Sequence, residues 1–378
     1  MNPKIRIFYD NLMAILTGNF AEGETELNDL CDLALVRIDR HFETPPPSIA
    51  PKLSAEEVRR IRGFYRKYIS FLSPRFHQLY TGVSGGRFSV RYLPEDFYLT
   101  TVDPYFTDRL CSKLEDNKCL YYSVYREIKQ PEFLMMKKDG LWQDADGKAL
   151  SDEEMKELLK KENQAVLKRA VCSEGGAGVY FLSGEHLYEQ LMEQMADIPC
   201  DVVLQKKLRQ HPLMSALHPE SVNTIRLLSL YTDGQVRIYS AAVRIGVGES
   251  HTDNGMTGGI YVGLHSDGRL KKMGCTSKMQ TMETHPDLGY RFEGHQIPSF
   301  DKVKELVKKA HKMTGHFRLT SWDVAVDESG EAVLIEPNYS MGGINELQIV
   351  NGPLFGSDTE KILDEVFAQR RKRLTVFL

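Results

Sequence analysis

Ser321-Trp-Asp-Val-Ala-Val-Asp-Glu-Ser-Gly-Glu-Ala-Val-Leu-Ile-Glu-Pro-Asn338 is two apolar runs joined by a polar turn, and its reading decides the fold. Trp322–Val326 and Ala332–Glu336 carry strand formers, and Asp327-Glu-Ser-Gly330 between them has the composition of a hairpin turn. If Asp327 pairs with Gly330, Asp323 stands opposite Leu334. Strand side chains alternate, so Glu336 then shares the face of Asp323 as a diagonal neighbour, and Asn338 points the same way. Three hard-oxygen side chains at the end of an otherwise apolar hairpin are what a Mg²⁺ ion bridging carboxylates and phosphates requires. The plainer reading makes Asp323 an edge polar residue and Glu336 a strand end. Buried like charges repel unless a cation joins them, which favours the metal. An odd residue in the turn would carry Asp323 to the other face and remove the argument.

Two more hairpins precede this one in sequence. Leu227–Tyr231 turns at Thr232-Asp-Gly234 into Val236–Val243, and Ile260–Leu264 turns at Ser266-Asp-Gly268. Together they predict an antiparallel sheet, with helices at Asp152–Lys161, Glu185–Met195, Lys302–His311 and Thr359–Arg370, hence the α+β class. From Pro3 to His77 apolar residues recur near helical spacing, interrupted by the extended connection Glu43-Thr-Pro-Pro-Pro-Ser-Ile-Ala-Pro51. Ser54 and Glu57 form a capping box for the helix that follows. Nothing chemical is legible in this N-terminal part, which reads as a helical cap.

Two arginines interrupt apolar strands: Arg226 in Val222-Asn-Thr-Ile-Arg-Leu-Leu-Ser-Leu230 and Arg244 in Ala241-Ala-Val-Arg-Ile245. A guanidinium stays charged at any working pH, so a buried one needs a carboxylate or phosphate partner. An ordinary arginine, snorkelling from an edge strand or paired with a protein acid, and one holding a bound anion are even alternatives for each; two on neighbouring strands favour the anion. Upstream, the strand Gln164–Ala170 contains Lys168 and leads into Val171-Cys-Ser-Glu-Gly-Gly-Ala-Gly178, where Ser173, Gly175, Gly176 and Gly178 allow backbone N–H groups to approach phosphate oxygens. A plain hairpin connection is the commoner meaning of such a turn, and it fits neither the dinucleotide nor the Walker pattern. His251, in the polar loop 246–259, reads as a solvated residue.

Composition narrows the function. The 378 residues are 42% apolar, and 48 basic against 52 acidic side chains leave a charge of −4, which disfavours general nucleic-acid binding. No apolar run approaches the ~20 residues of a membrane span, and the start MNPKIRIFYD lacks the pattern of a cleaved leader. Six cysteines without a CxxC pair suit a reducing compartment, so a cytoplasmic location is expected. The basic run Gln369-Arg-Arg-Lys-Arg373 reads as helix C-terminal cations complementing the dipole.

In this order, Glu115-Asp-Asn-Lys118, Val166-Leu-Lys168 with Ser173–Gly178, Val202-Val-Leu-Gln205, Ser221-Val-Asn-Thr-Ile-Arg226, Val243-Arg-Ile-Gly246 with Asp253-Asn254 and Gly258-Gly259, Trp322-Asp323 and Glu336-Pro-Asn338 resemble the ATP-grasp superfamily, and more narrowly its sugar-transfer-associated branch, over about 98–367. The resemblance implies an ATP-grasp fold with a helical N-terminal region at 1–106, a small lobe at 107–205 and a large lobe at 206–378. It implies ATP and Mg²⁺ as cofactors: Lys118 and Lys168 on the phosphates, the Ser173–Gly178 loop over them, and Gln205 with the backbone of Lys206 to Leu208 at adenine. Asp323, Glu336 and Asn338 would bind Mg²⁺, Arg226 would neutralise the transferred phosphoryl group, and Arg244 and Asn254 would lie on the acceptor side. Gln205 stands where the family often has an acid, and Asn117 rather than an aspartate precedes Lys118.

The activity so implied is carboxylate–amine ligation on small-molecule substrates, in polysaccharide or cell-surface assembly, with a homodimer compatible. The γ-phosphoryl group activates the acid as an acyl phosphate, and the amine then expels phosphate. Positioning and charge neutralisation by Mg²⁺, Lys168 and Arg226 suffice, without a nucleophilic side chain. A small-molecule kinase and a non-catalytic nucleotide-binding partner of a glycosyltransferase are the alternatives.

Overall fold

The computed structural model describes residues 52–69, 72–171, 178–340 and 342–369. The expected helices before residue 50, the Glu43–Pro51 connection, Ser173, Gly175 and Gly176, and the basic run after Gln369 lie outside these residues. The chain forms two compact units, one ending at Asp108 and resuming at Gly343, the other Arg109–Gly342.

The first unit is helical. Its opening helix α1 (Ala55–Tyr65) starts on the expected capping box: Glu57 N donates to Ser54 Oγ at 3.2 Å and Ser54 N to Glu57 Oε2 at 2.7 Å. α2 (Arg75–Val83) and the helical stretch Glu95–Phe106, which runs through a π turn at Tyr98–Val102, supply an aromatic core. Tyr65 donates to the Tyr92 carbonyl at 2.7 Å, and Tyr80 to Asn345 Oδ1 at 2.6 Å, so the buried phenols are satisfied.

The second unit contains two antiparallel sheets. The smaller consists of β1 (Phe133–Lys138), β2 (Leu141–Gln143), β3 (Gln164–Arg169), β4 (Val179–Ser183) and β5 (Val202–Lys206), in the order β2-β1-β5-β3-β4. α3 (Lys118–Val124), α4 (Asp152–Leu159) and α5 (Leu187–Ala196) belong with it, and the last two bury Met155, Leu159, Leu187 and Leu191 in one core with Leu167 and Leu204. The larger sheet has β6 (Ile225–Thr232), β7 (Gln235–Ile245), β8 (Ile260–Leu264), β9 (Leu270–Thr276), β10 (Thr281–Met282), β11 (Leu319–Val326) and β12 (Ala332–Asn338), in the order β10-β9-β8-β7-β6-β11-β12. α6 (Phe300–Met313) covers its back, where Val303, Val307 and Ala310 meet Leu227, Val243, Trp322 and Val324. α7 (Asn345–Asn351) and α8 (Thr359–Gln369) return to the first unit.

All three expected hairpins form. The β6–β7 turn holds Asp233 at φ 52° and Gly234 at φ 72°, the two positive values that a type I′ turn needs. In the β11–β12 hairpin the register differs from expectation. Gly330 N does donate to Asp327 O at 2.9 Å, but Asp327 N also donates to Glu331 O and Val326 faces Ala332, so the turn has an odd count. Continued unchanged, that register would set Asp323 opposite Ile335 and turn Glu336 to the other face. A bulge then shifts the pairing between Asp323 and Val324, and Asp323 comes directly opposite Glu336, not Leu334. Two odd shifts cancel, and the shared face survives.

Candidate functional site

The front of the large sheet carries a rung of charge. Ala242, Arg226, Asp323 and Glu336 are successive Cα partners across β7, β6, β11 and β12, and directly opposed residues share a face. Arg244 lies two residues along β7 from Ala242 and Asn338 two along β12 from Glu336, so both join that face. The adjacent residues Leu227, Val243 and Trp322 point back into the core. Alternation thus places apolar side chains behind and charges in front.

Asp323 is 1% exposed and accepts three charge-assisted hydrogen bonds: Arg226 Nε at 2.8 Å, Arg226 Nη2 at 2.6 Å and Arg244 Nη1 at 2.8 Å. Burial alone would raise its pKa, but the two guanidinium groups outweigh burial and hold the carboxyl down to about 2. Reciprocally, burial opposes the charge on Arg226 and Asp323 more than restores it, leaving the guanidinium well above its ordinary range. Arg244 reaches a second acid, Asp253, at 3.1 Å, and stacks over Tyr261 at 5.9 Å. Of the two partners open to the arginines, the structure shows protein acids in place.

The small sheet and the helix α3 beside it contribute the lysines. Lys118 opens α3, capped by Asn117, whose Oδ1 accepts Cys119 N at 2.9 Å. Lys118 N donates to Ala170 O at 2.9 Å, which ties the helix start to the end of β3. Its ammonium lies 3.2 Å from Glu336 Oε2. Lys168 stands on β3 opposite Val203, half-buried; burial first, then Lys118, against the pull of Glu336, brings its ammonium down to about 8. Gln205 stands on the same face, opposite Val166, and its amide donates to the Tyr122 hydroxyl. Lys206 points to the other face, paired with Glu132 at 2.5 Å and Glu162 at 3.0 Å, while its backbone N–H goes to the Glu132 carbonyl. Leu208 is half-buried beyond the strand.

The structure therefore brings together Lys118, Lys168, Arg226, Arg244, Asp323, Glu336 and Asn338, with Gln205 on the lysine face. Gly178 closes the described edge of the glycine-rich loop at φ 76°, where a Cβ would fall 2.4 Å from Arg169 Cδ. Asn254 is half-buried and shapes its own loop, its carbonyl accepting Gly259 N at 2.9 Å. That loop is clamped at its base. Gly246 N donates to Asn223 and Gly246 O accepts from His285; Gly248 N donates to Asp287 and Gly248 O accepts from His218. His251 is exposed near its tip, 5.2 Å from the Phe181 ring.

Glu336 and Asn338 suit a hard cation. They share one face and each offers a side-chain oxygen; the Asn338 amide nitrogen, buried with no hydrogen-bond partner, is an unsatisfied donor that an acceptor such as a phosphate oxygen would settle. Asp323 fits less well, because both its oxygens already serve arginines. Among the described residues no group of three or more His, Cys, Asp or Glu side chains gathers as a metal site.

Sequence reasoning missed Thr224 and the role of Asp253. Thr224 N and Oγ1 both donate to Asp253 Oδ2, at 2.8 and 2.5 Å. Asp253 had appeared only inside a sequence fragment, since nothing local says which arginine it will meet.

The second unit is thus an α+β body of two antiparallel sheets, with Lys118 and Lys168 beside a rung of arginine and carboxylate. The sequence pattern of sugar-transfer associated ATP-grasp proteins matches residues 101–363, and the chain belongs to that family. No curated protein matches. Solved structures that resemble it include the ATP-grasp ligase PsnB complexed with a minimal precursor, at 15% identity over 70% of this chain and 64% of that one, TM-score 0.39. The D-alanine-D-alanine ligase of Coxiella burnetii gives 12%, 77%, 68% and 0.41 for the same quantities. The biotin carboxylase domain of Hydrogenobacter thermophilus 2-oxoglutarate carboxylase, solved with MgADP, gives 16%, 72%, 49% and 0.42. The chain thus spans 49% to 68% of the length of these structures. No described helix is long and apolar enough to cross a membrane.

Proposed function

We propose that this protein is an ATP- and Mg²⁺-dependent carboxylate–amine ligase acting through an acyl phosphate, and that it joins an amino acid or similar acid to an amino sugar or another amine in the assembly of a polysaccharide or cell-surface polymer. The observation that carries the reading is the convergence of Lys118, at the start of α3, and Lys168, on the small sheet, upon the rung Arg226–Asp323–Glu336 of the large sheet. A triphosphate binds where cations outnumber free acids. Lys118 and Lys168 hold phosphate oxygens, Arg226 takes the charge that develops on the transferred group, and Gln205 faces the nucleobase.

Bound Mg²⁺ supplies further neutralisation of phosphate charge, held by Glu336 and Asn338, with Asp323 as the third ligand. The glycine-rich loop and the clamped 246–259 loop exclude water from the acyl phosphate. Arg244 and Asn254 border the acceptor side.

The test is an ADP-release screen with Mg²⁺ across paired amino acids and amino sugars, with hydroxylamine present in a second set. ADP release that depends on an acid and yields a hydroxamate supports ligation. A stable phosphorylated product would instead identify a kinase, and background ADP across the whole panel would remove the enzyme reading. Glu336→Ala is expected to abolish turnover while nucleotide affinity falls less steeply.

A further inference from the structure

Two arginines face one aspartate on this site, and the structure treats them unequally. Arg226 has Asp323 as its carboxylate partner, whereas Arg244 lies between two acids, with Nη1 at 2.8 Å from Asp323 and Nη2 at 3.1 Å from Asp253. Arg244 is 4% exposed and Asp253 7%. The loop is built to deliver that second acid. A Cβ on Gly259 would fall 2.2 Å from the Asp253 carbonyl and 2.7 Å from that of Asn254, so only glycine lets the loop fold back far enough. Thr224 then fixes the carboxylate with its N–H and hydroxyl, while its own carbonyl accepts Arg244 N at 2.7 Å. One threonine thus registers both the acid and the strand that bears its arginine.

We propose that Asp253 is a positioning residue: it anchors Arg244 against Asp323, so that Arg226 is the one guanidinium the site releases to an incoming phosphate oxygen. The proposal rests on the ligase reading and adds a division of labour to it. The four groups Arg226, Arg244, Asp323 and Asp253 sum to zero charge. An anion entering this balanced set must draw one arginine away from its acid. Arg226 gives up a single partner, while Arg244 would strand two buried carboxylates at once. Removing the Asp253 charge abolishes the asymmetry. Arg244 then leans wholly on Asp323, the set gains one net positive charge, and anions bind more tightly in a geometry poorer for reaction.

The sign of that effect separates positioning from a merely structural role. In Asp253→Asn the affinity for MgADP, measured by calorimetry, is expected to rise at least threefold with a steeper dependence on salt, while turnover on whichever acid and amine pair the screen identifies falls at least tenfold. Thr224→Val, which keeps the charge and loses one hydrogen bond, is expected to lower turnover with affinity unchanged, and it carries the test if Asp253→Asn does not fold. A second readout needs no ligand: the Arg244 Nε–H resonance, assigned by its loss in Arg244→Lys, should be sharp in the parent chain and broadened in Asp253→Asn and Thr224→Val, with the Arg226 resonance retained. An Arg244 resonance indifferent to both variants overturns the proposal, as does an Asp253→Asn protein whose MgADP affinity falls along with its turnover. A parent chain that binds no MgADP overturns the ligase reading instead, and the resonances still decide whether Asp253 positions Arg244.

Discussion

Replacing Asp323 by alanine tests the charge rung most directly. The carboxylate is 1% exposed and accepts three hydrogen bonds of 2.6 to 2.8 Å from two guanidinium groups. After its removal Arg244 keeps Asp253, but Arg226 is left with its carboxylate gone. Breaking a buried ion pair from one side costs about 3–5 kcal/mol, because the remaining charge is stranded. With a urea slope of about 3 kcal/mol per M, the unfolding midpoint should fall by about 1–2 M. Asp323→Asn, which preserves shape and one acceptor, should fall between the two. The pH dependence has a definite sign. The folded carboxyl is held down to about 2, below its value in the unfolded chain, so its contribution is complete above pH 5 and is lost as pH falls toward 2. The gap between parent and Asp323→Ala should therefore be constant from pH 7 to 5 and about 1 kcal/mol smaller by pH 3. Urea titrations at pH 7, 5, 4 and 3 measure this. A gap below ~1 kcal/mol at pH 7, or one that stays constant down to pH 3, refutes the reasoning, since buried pairs and exposed ones differ by that margin.

Lys168→Met should stabilise the ligand-free chain by about 2–3 kcal/mol at pH 7, because burial holds the ammonium down to about 8 and the folded state carries that penalty wherever the lysine is charged. The advantage should fade as pH rises from 8 to 10, and nucleotide binding should weaken; thermal unfolding and calorimetry read both. Asn338→Leu removes a buried amide nitrogen that lacks a partner, so stability is expected to hold or rise by up to ~1 kcal/mol while Mg²⁺-dependent ADP release disappears; simultaneous loss of both would point to an ordinary packing role. Gly259→Ala places a methyl 2.2 Å from a backbone carbonyl and should cost about 1–3 kcal/mol by forcing the 246–259 loop open, visible as a lower melting temperature.

Much of the large sheet was legible because its hairpins announce themselves locally: Thr232-Asp-Gly234 forms a turn with positive φ at Asp233 and Gly234, and strand alternation sorts Leu227 from Arg226. The class and the helix positions followed from the same periodicities. The exact register of β11–β12 was not legible, since the bulge beside Asp323 is a property of how two strands twist together and no residue type marks it. The site acids and cations could be named singly, yet their pairing could not. Asp323 meets Arg226 because β11 lies beside β6, a neighbourhood set by the whole sheet across 97 positions of sequence. Asp253 and Thr224 escaped for the same reason.

The bulge in β12 acts as a vernier on the hairpin. Beyond it the register is reset, so the distance between Asp323 and the Asp327–Glu331 bend is decoupled from the alignment of Glu336 with its neighbours. A linker or epitope spliced into that bend would leave the charged row aligned, and deleting Ile335 would remove the bulge while keeping Glu336 opposite Asp323.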